Sequence, residues 1–102
     1  MLRIEIHPDV YSELEISRAW YGEKATNLGK EFLDEIDRAL KVIEEAPAMW
    51  PWYDKEEGVR RFLVHRFPYA ILYRTTSTVI QIIAAMHLRR HPDYWKSRGM
   101  PK

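Results

Sequence analysis

The stretch from 84 to 98, AAMHLRRHPDYWKSR, gathers two histidines, four cations and a single acid. Histidine titrates near neutrality and can carry a proton to or from a reacting oxygen. Arginines bind phosphate through a planar fork and stabilise the extra charge that develops on it in a transition state. Tyr94 and Trp95 can stack on a base. These residue types suffice for metal-free RNA cleavage, with His87 moving the proton of the attacking 2′-OH or of the leaving oxygen. They equally suffice for holding an anionic surface without chemistry. The plainer alternative is a strand end followed by a solvated tail, with both aromatics packed on the core, their commoner fate.

Several other chemistries are disfavoured. The chain has no cysteine, so disulfides, thiol nucleophiles and Cys-based zinc sites are excluded. Four scattered glycines make no phosphate-binding loop, and there is no G-x-S-x-G. His87 and His91 have the spacing of helical zinc ligands, but Pro92 biases His91 away from helix. No third ligand is obvious beyond His65 or Asp93, so no metal and no cofactor are expected.

The net charge of +1 conceals an asymmetry. Residues 1–57 carry 7 Lys/Arg against 14 Asp/Glu, whereas residues 58–102 carry 9 Lys/Arg against Asp93 alone. A basic half of this kind points to an anionic partner, unless the two halves neutralise each other in the fold. Arg60, Arg61 and Arg66 fall on one predicted strand, Arg74 on the next, and Arg89, Arg90, Lys96 and Arg98 after the last. Neighbouring strands lie about 4.8 Å apart, so these cations can share one patch.

The elements that must position this patch follow from periodicity. LRIEI (2–6) alternates as a half-buried strand does. Pro8, Asp9 and Glu13 suit the start of a helix over 9–27. Its stripe is Val10, Leu14, Ser17, Tyr21, Ala25 and Leu28, widened by Ile16, Ala19 and Trp20. Asn27 to Gly29 should end it, and Phe32, Leu33, Ile36, Leu40 and Ile43 predict a second helix from about 30 to 45, closed by Pro47. The proline-rich 47–58 reads as a loop. Three strands follow at 59–67, 69–75 and 78–88, with reversals at Pro68 and Thr76-Ser77, and 93–98 adds a helical turn. The last strand, apolar on both faces, should be central. By parity Ile80, Ile82, Ala84 and Met86 should meet the helices, which places His87 on an open face among the cations.

The expectation is one α+β domain over 1–102 in β-α-α-β-β-β order: an antiparallel sheet with a helical hairpin on one face and a short C-terminal helical turn. No apolar run is long enough for a membrane helix and the N-terminus has no signal-peptide pattern. A cytoplasmic protein without membrane contact is expected.

The run GVRRFLVHRFPYAILYR, and a strand ending in AAMHLRRHPDYWKSR, resemble the RelE/ParE toxin superfamily of type II toxin–antitoxin modules, the plasmid-stabilisation proteins. The resemblance covers nearly the whole chain. It rests on Arg60 and Arg61 opening a strand, on Phe67, Pro68, Tyr69 and Tyr73, and on His87, Arg89, Arg90 and Pro92. It implies a bacterial toxin neutralised by a cognate antitoxin. The C-terminal pattern looks closer to the ParE-like branch, whose members inhibit DNA gyrase, with Arg60, Arg61, Arg66, Arg89, Arg90, Tyr94, Trp95 and Arg98 as partner-binding residues. The alternative it implies is a RelE-like endoribonuclease that cleaves mRNA on the ribosome. In that case Arg61, His87, Arg90 and Tyr94 would be catalytic, without metal. Lys55 stands beside Asp54, Glu56 and Glu57 where RelE-like nucleases tend to carry several cations.

Overall fold

The structure, a computed structural model, describes residues 2–98. Strand β1 (Arg3–Ile6) leads into α1 (Pro8–Lys24) and α2 (Leu28–Glu45). Four strands follow: β2 (Trp52–Asp54), β3 (Val59–Leu63), β4 (Tyr69–Thr75) and β5 (Val79–His87). Helix α1 begins where the sequence places it: His7 caps it, its Nδ1 accepting the Asp9 N–H at 3.1 Å, with Pro8 in the first turn. Asn27, at φ 67°, reverses the chain in the left-handed region, and α2 starts at once at Leu28. The second helix therefore takes in Gly29, whose backbone lies against the carbonyl of Arg18.

The sheet order is β1-β5-β4-β3-β2. β3, β4 and β5 form the expected antiparallel meander, β2 extends it beyond β3, and β5 lies inside the sheet between β1 and β4. β1 differs, running parallel to β5 from Arg3↔Val79 to Ile6↔Ile82, so the sheet is mixed. Two boundaries also move. β3 stops at Leu63, because Arg66 takes φ 72° and the reversal occupies 64–68. Trp52–Asp54, expected as loop, pairs with β3 across a turn that Gly58 closes at φ 70°.

One irregularity changes which face each side chain meets. Leu72 pairs with Ala84 but Tyr73 pairs with Ile82, leaving Ile83 as the extra residue of a bulge. Before it Ile80 and Ile82 face the helices; after it Ala85 does, in one core with Val10, Phe32, Ile36 and Ile43. Ala84 and Met86, expected against the helices, face the other way.

That other face is not open. Val59, Ala70, Leu72, Ile83, Ala84 and Met86 form a second core closed by Trp95, with Tyr53 and Tyr94 at its margin. The residues 93–98 that place Trp95 there form successive turns and not a regular helix. Ile16 and Trp20, expected to widen the buried stripe of α1, stand 72% and 54% exposed on its outer side.

Candidate functional site

The segment after β5 is built from its own turns. Leu88 N–H donates to Pro68 O at 2.9 Å and Arg90 N–H to His87 O at 2.9 Å. Three i→i+3 bonds then follow, from Tyr94 to His91, Lys96 to Asp93 and Arg98 to Trp95. Both histidines cap turns. His87 Nδ1 accepts the Arg89 N–H at 3.1 Å, and His91 Nδ1 accepts the Asp93 N–H at 3.2 Å. An accepting Nδ1 leaves the neutral ring's proton on Nε2. Trp95 is 2% exposed and its Nε1–H donates to Pro92 O at 2.7 Å. Tyr53 Oη donates to the same oxygen at 3.1 Å.

A carboxylate from α1 ties this segment to the sheet. β1 ends opposite Ile82, which leaves the β5 edge beyond it without a strand partner. Arg98 and Glu13 fill that gap. Arg98 Nη1 donates to Ile83 O at 2.8 Å, and Ala85 N–H donates to Glu13 Oε1 at 3.1 Å. Arg98 and Glu13 then join in a bidentate pair, both bonds 3.0 Å. Tyr94 Oη donates to Glu13 Oε2. The carboxylate thus meets four donors, with its side chain 13% exposed. Burial, then the bond to Glu13, hold the Tyr94 phenol well above its ordinary pKa. Burial pulls the Arg98 guanidinium down, but the Glu13 hydrogen bonds and charge outweigh it, so its net shift is upward.

The predicted site residues do not form one patch. His87, expected on an open face, lies on the helix side because of the Ile83 bulge. It borders a groove of about 440 Å3 with Ile16, Ser17, Trp20, Tyr21, Pro68 and Tyr69. Its ring meets the Tyr69 ring edge-on at 5.1 Å, and Tyr69 Oη shares a 2.7 Å hydrogen bond with Ser17 Oγ. Arg90 reaches an adjoining recess with Glu13, Ala85 and His87, its guanidinium 4.1 Å from the Tyr94 ring centre. Arg61 pairs in register with Leu72 of the second core, so it belongs to the opposite face.

The remaining cations divide between structure and solvent. Arg60 donates to Trp50 O at 2.6 Å and lies 3.8 Å from the Trp52 ring centre. Arg66 pairs with Glu31 of α2 at 3.3 Å. Arg74 approaches Glu57 at 3.9 Å, and Lys96 lies 3.4 Å from both Asp54 and Asp93. Arg98 is spent on Glu13, and Trp95 on the second core. Arg61, Arg89 and Arg90 are exposed. Much of the basic half is thus neutralised by the acidic half, as the charge layout allowed. Sequence reasoning missed Glu13 as part of this assembly. The available signal was an acid three residues from Val10 and four from Ser17, on the inward side of α1.

Among the described residues no group of three or more His, Asp or Glu is placed to hold a metal ion, and no helix is long and apolar enough to cross a membrane.

No curated protein sequence matches the chain. Among solved structures it is similar to a chain of the chromosomal ParDE TA system from P. aeruginosa, at TM-score 0.72 and 16% identity, over 87% of this chain and 98% of that one. At that identity the likeness speaks to the fold, which is the α+β arrangement described above. Residues 4–92 match the family described as ParE toxin of type II toxin-antitoxin system, parDE. That match runs from β1 to Pro92, the point where the chain turns toward Trp95. The chain therefore belongs to the ParE toxin family, within the RelE/ParE superfamily.

Proposed function

We propose that this toxin acts by occupying DNA gyrase, with the exposed part of Leu88–Arg98 as its contact surface, and that a cognate antitoxin inhibits it from the side of α1. The observation that carries the first part is the commitment of the candidate acid–base groups. Tyr94 Oη is given to Glu13, His87 Nδ1 to its own turn, and Arg61 lies across the sheet from His87. A proton-transfer site needs acid, base and phosphate clamp around one substrate atom. What stays exposed here suits binding instead: Arg89, Arg90 and a Leu88 that is 51% exposed. The antitoxin side is supported by the exposed Ile16 and Trp20, which border the apolar groove.

The test is induced expression with two measurements, plasmid supercoiling and mapping of mRNA ends. Arg89→Ala with Arg90→Ala should abolish growth arrest and restore supercoiling, and His87→Ala should leave both effects in place. Cleavage of mRNA on the ribosome with undisturbed supercoiling, abolished by His87→Ala, would refute the gyrase reading.

A further inference from the structure

We propose that Glu13 is a positioning residue for the toxin's contact surface, setting where Arg90 stands through Tyr94. This rests on the gyrase-binding reading above. Three contacts make the chain of cause. The Glu13 carboxylate fixes the Tyr94 phenol by a charge-assisted bond. The Tyr94 ring in turn carries the Arg90 guanidinium at 4.1 Å and that of Arg98 at 5.0 Å. Arg98 holds the same carboxylate from its other side by two bonds and is anchored on Ile83 O. Glu13 also accepts from Ala85 N–H, so its own place is set by the β5 edge as well as by the side chains it organises. The result is an unbroken path of contacts from β5 to an exposed arginine.

The chemistry of the site makes the carboxylate specific. Four donors converge on two oxygens, so Glu13→Gln replaces an acceptor by an N–H facing donors while keeping size. Glu13→Asp is one methylene shorter and cannot hold the backbone and Tyr94 together. Pre-setting a long, flexible arginine lowers the entropy lost when it binds, so releasing Arg90 should weaken binding even though its charge remains.

The experiment uses the full chain, purified DNA gyrase and relaxed plasmid, with the toxin concentration for half-inhibition of supercoiling as the readout. Glu13→Gln is expected to raise that concentration at least tenfold. Arg90→Ala should do the same, and the double variant should be no worse than Arg90→Ala alone, because both act through one contact. Losses that simply add would overturn the proposal and leave Glu13 a general structural residue. Tyr94→Phe retains the ring and the Glu13–Arg98 pair while removing the phenolic bond. It guards against a Glu13 variant that fails to fold. A several-fold loss that vanishes in the Arg90→Ala background is expected from it, and wild-type inhibition would break the proposed path. If Arg89→Ala and Arg90→Ala inhibit normally, the gyrase-contact reading itself falls. If they lose inhibition but Glu13→Gln and Tyr94→Phe do not, only the positioning role falls.

Discussion

Gly29 of α2 rests against the backbone carbonyl of Arg18 in α1, where a Cβ on the glycine would sit 2.6 Å from that oxygen. The two helices are pressed together at this point, and only a residue without a side chain fits. Two effects then compete in Gly29→Ala. Helix propensity favours alanine by about 1 kcal/mol. The clash is with backbone, so the helices must separate, and overpacking of this kind costs about 1–3 kcal/mol. The clash should win, lowering Tm by roughly 4–8 °C for each net kcal/mol lost in a domain of this size. Thermal unfolding followed by circular dichroism checks it, and a variant at least as stable as wild type would show that the helices yield at no cost.

Tyr73 gives the fold an alkaline limit. Its ring is fully buried and its Oη donates to Pro47 O at 2.6 Å. Burial pushes its pKa up from 10.0 to about 12, with Arg60 pulling slightly the other way. The folded value lies above the unfolded one, so the neutral phenol is the form that stabilises. Its contribution is complete below pH 10 and is lost as pH rises toward 12. By linkage it is at most about 2–3 kcal/mol. Urea midpoints should fall between pH 9 and pH 11.5 in wild type, and by less in Tyr73→Phe. Parallel pH profiles for the two proteins would exclude Tyr73 as the cause.

Trp95 closes the second core from the end of the described chain. Truncating a buried tryptophan commonly costs about 3–5 kcal/mol. Here the loss should be felt locally first, because the turns of 93–98 can lift away while the meander stays paired. In Trp95→Ala, amide exchange at Asp93, Tyr94 and Lys96 should accelerate by orders of magnitude, with smaller changes in β3 and α2. Uniform acceleration throughout the chain would mean that the segment is an integral part of the global fold.

Much of this architecture was legible in the sequence, and the parts that were not have identifiable physical causes. The alternation of Leu2–Ile6 and the stripe of Phe32, Ile36, Leu40 and Ile43 report which side is buried, because each element has one wet face. β5 is buried on both faces, so VIQIIAAM carries no parity signal. Nothing in its composition marks Ile83 as a bulged residue, and that one residue moves His87 from the expected open face to the groove beside Tyr69. β2 is three residues long inside a proline-rich stretch, too short for periodicity to show. In the sequence Glu13 reads as an acid suited to the positive end of α1. Its larger part, closing a strand edge through Ala85 and Arg98, depends on contacts 72 and 85 residues away, beyond any local pattern.

The exposed apolar side of α1 separates stability from binding. Trp20 makes an edge contact with Tyr21 at 5.0 Å, and Lys24 lies 4.8 Å from its ring centre. Surface substitutions away from such features usually change stability by less than about 0.5 kcal/mol. Trp20→Ser and Ile16→Ser should therefore melt close to wild type, with the helix somewhat weakened in the first. If the antitoxin covers this side, the two residues are the aromatic and aliphatic anchors beside the groove of Ser17, Pro68 and His87, and anchors of that kind commonly cost 2 kcal/mol or more when removed, about thirtyfold in affinity. Calorimetry with the cognate antitoxin should show that loss, greater for Trp20→Ser than for Ile16→Ser. The apolar share of binding should survive raised salt, whereas a contact to Arg90, in the recess beside the groove, weakens as the screening length falls. Wild-type affinity in both variants would place the antitoxin elsewhere on the toxin and leave the ridge without a partner.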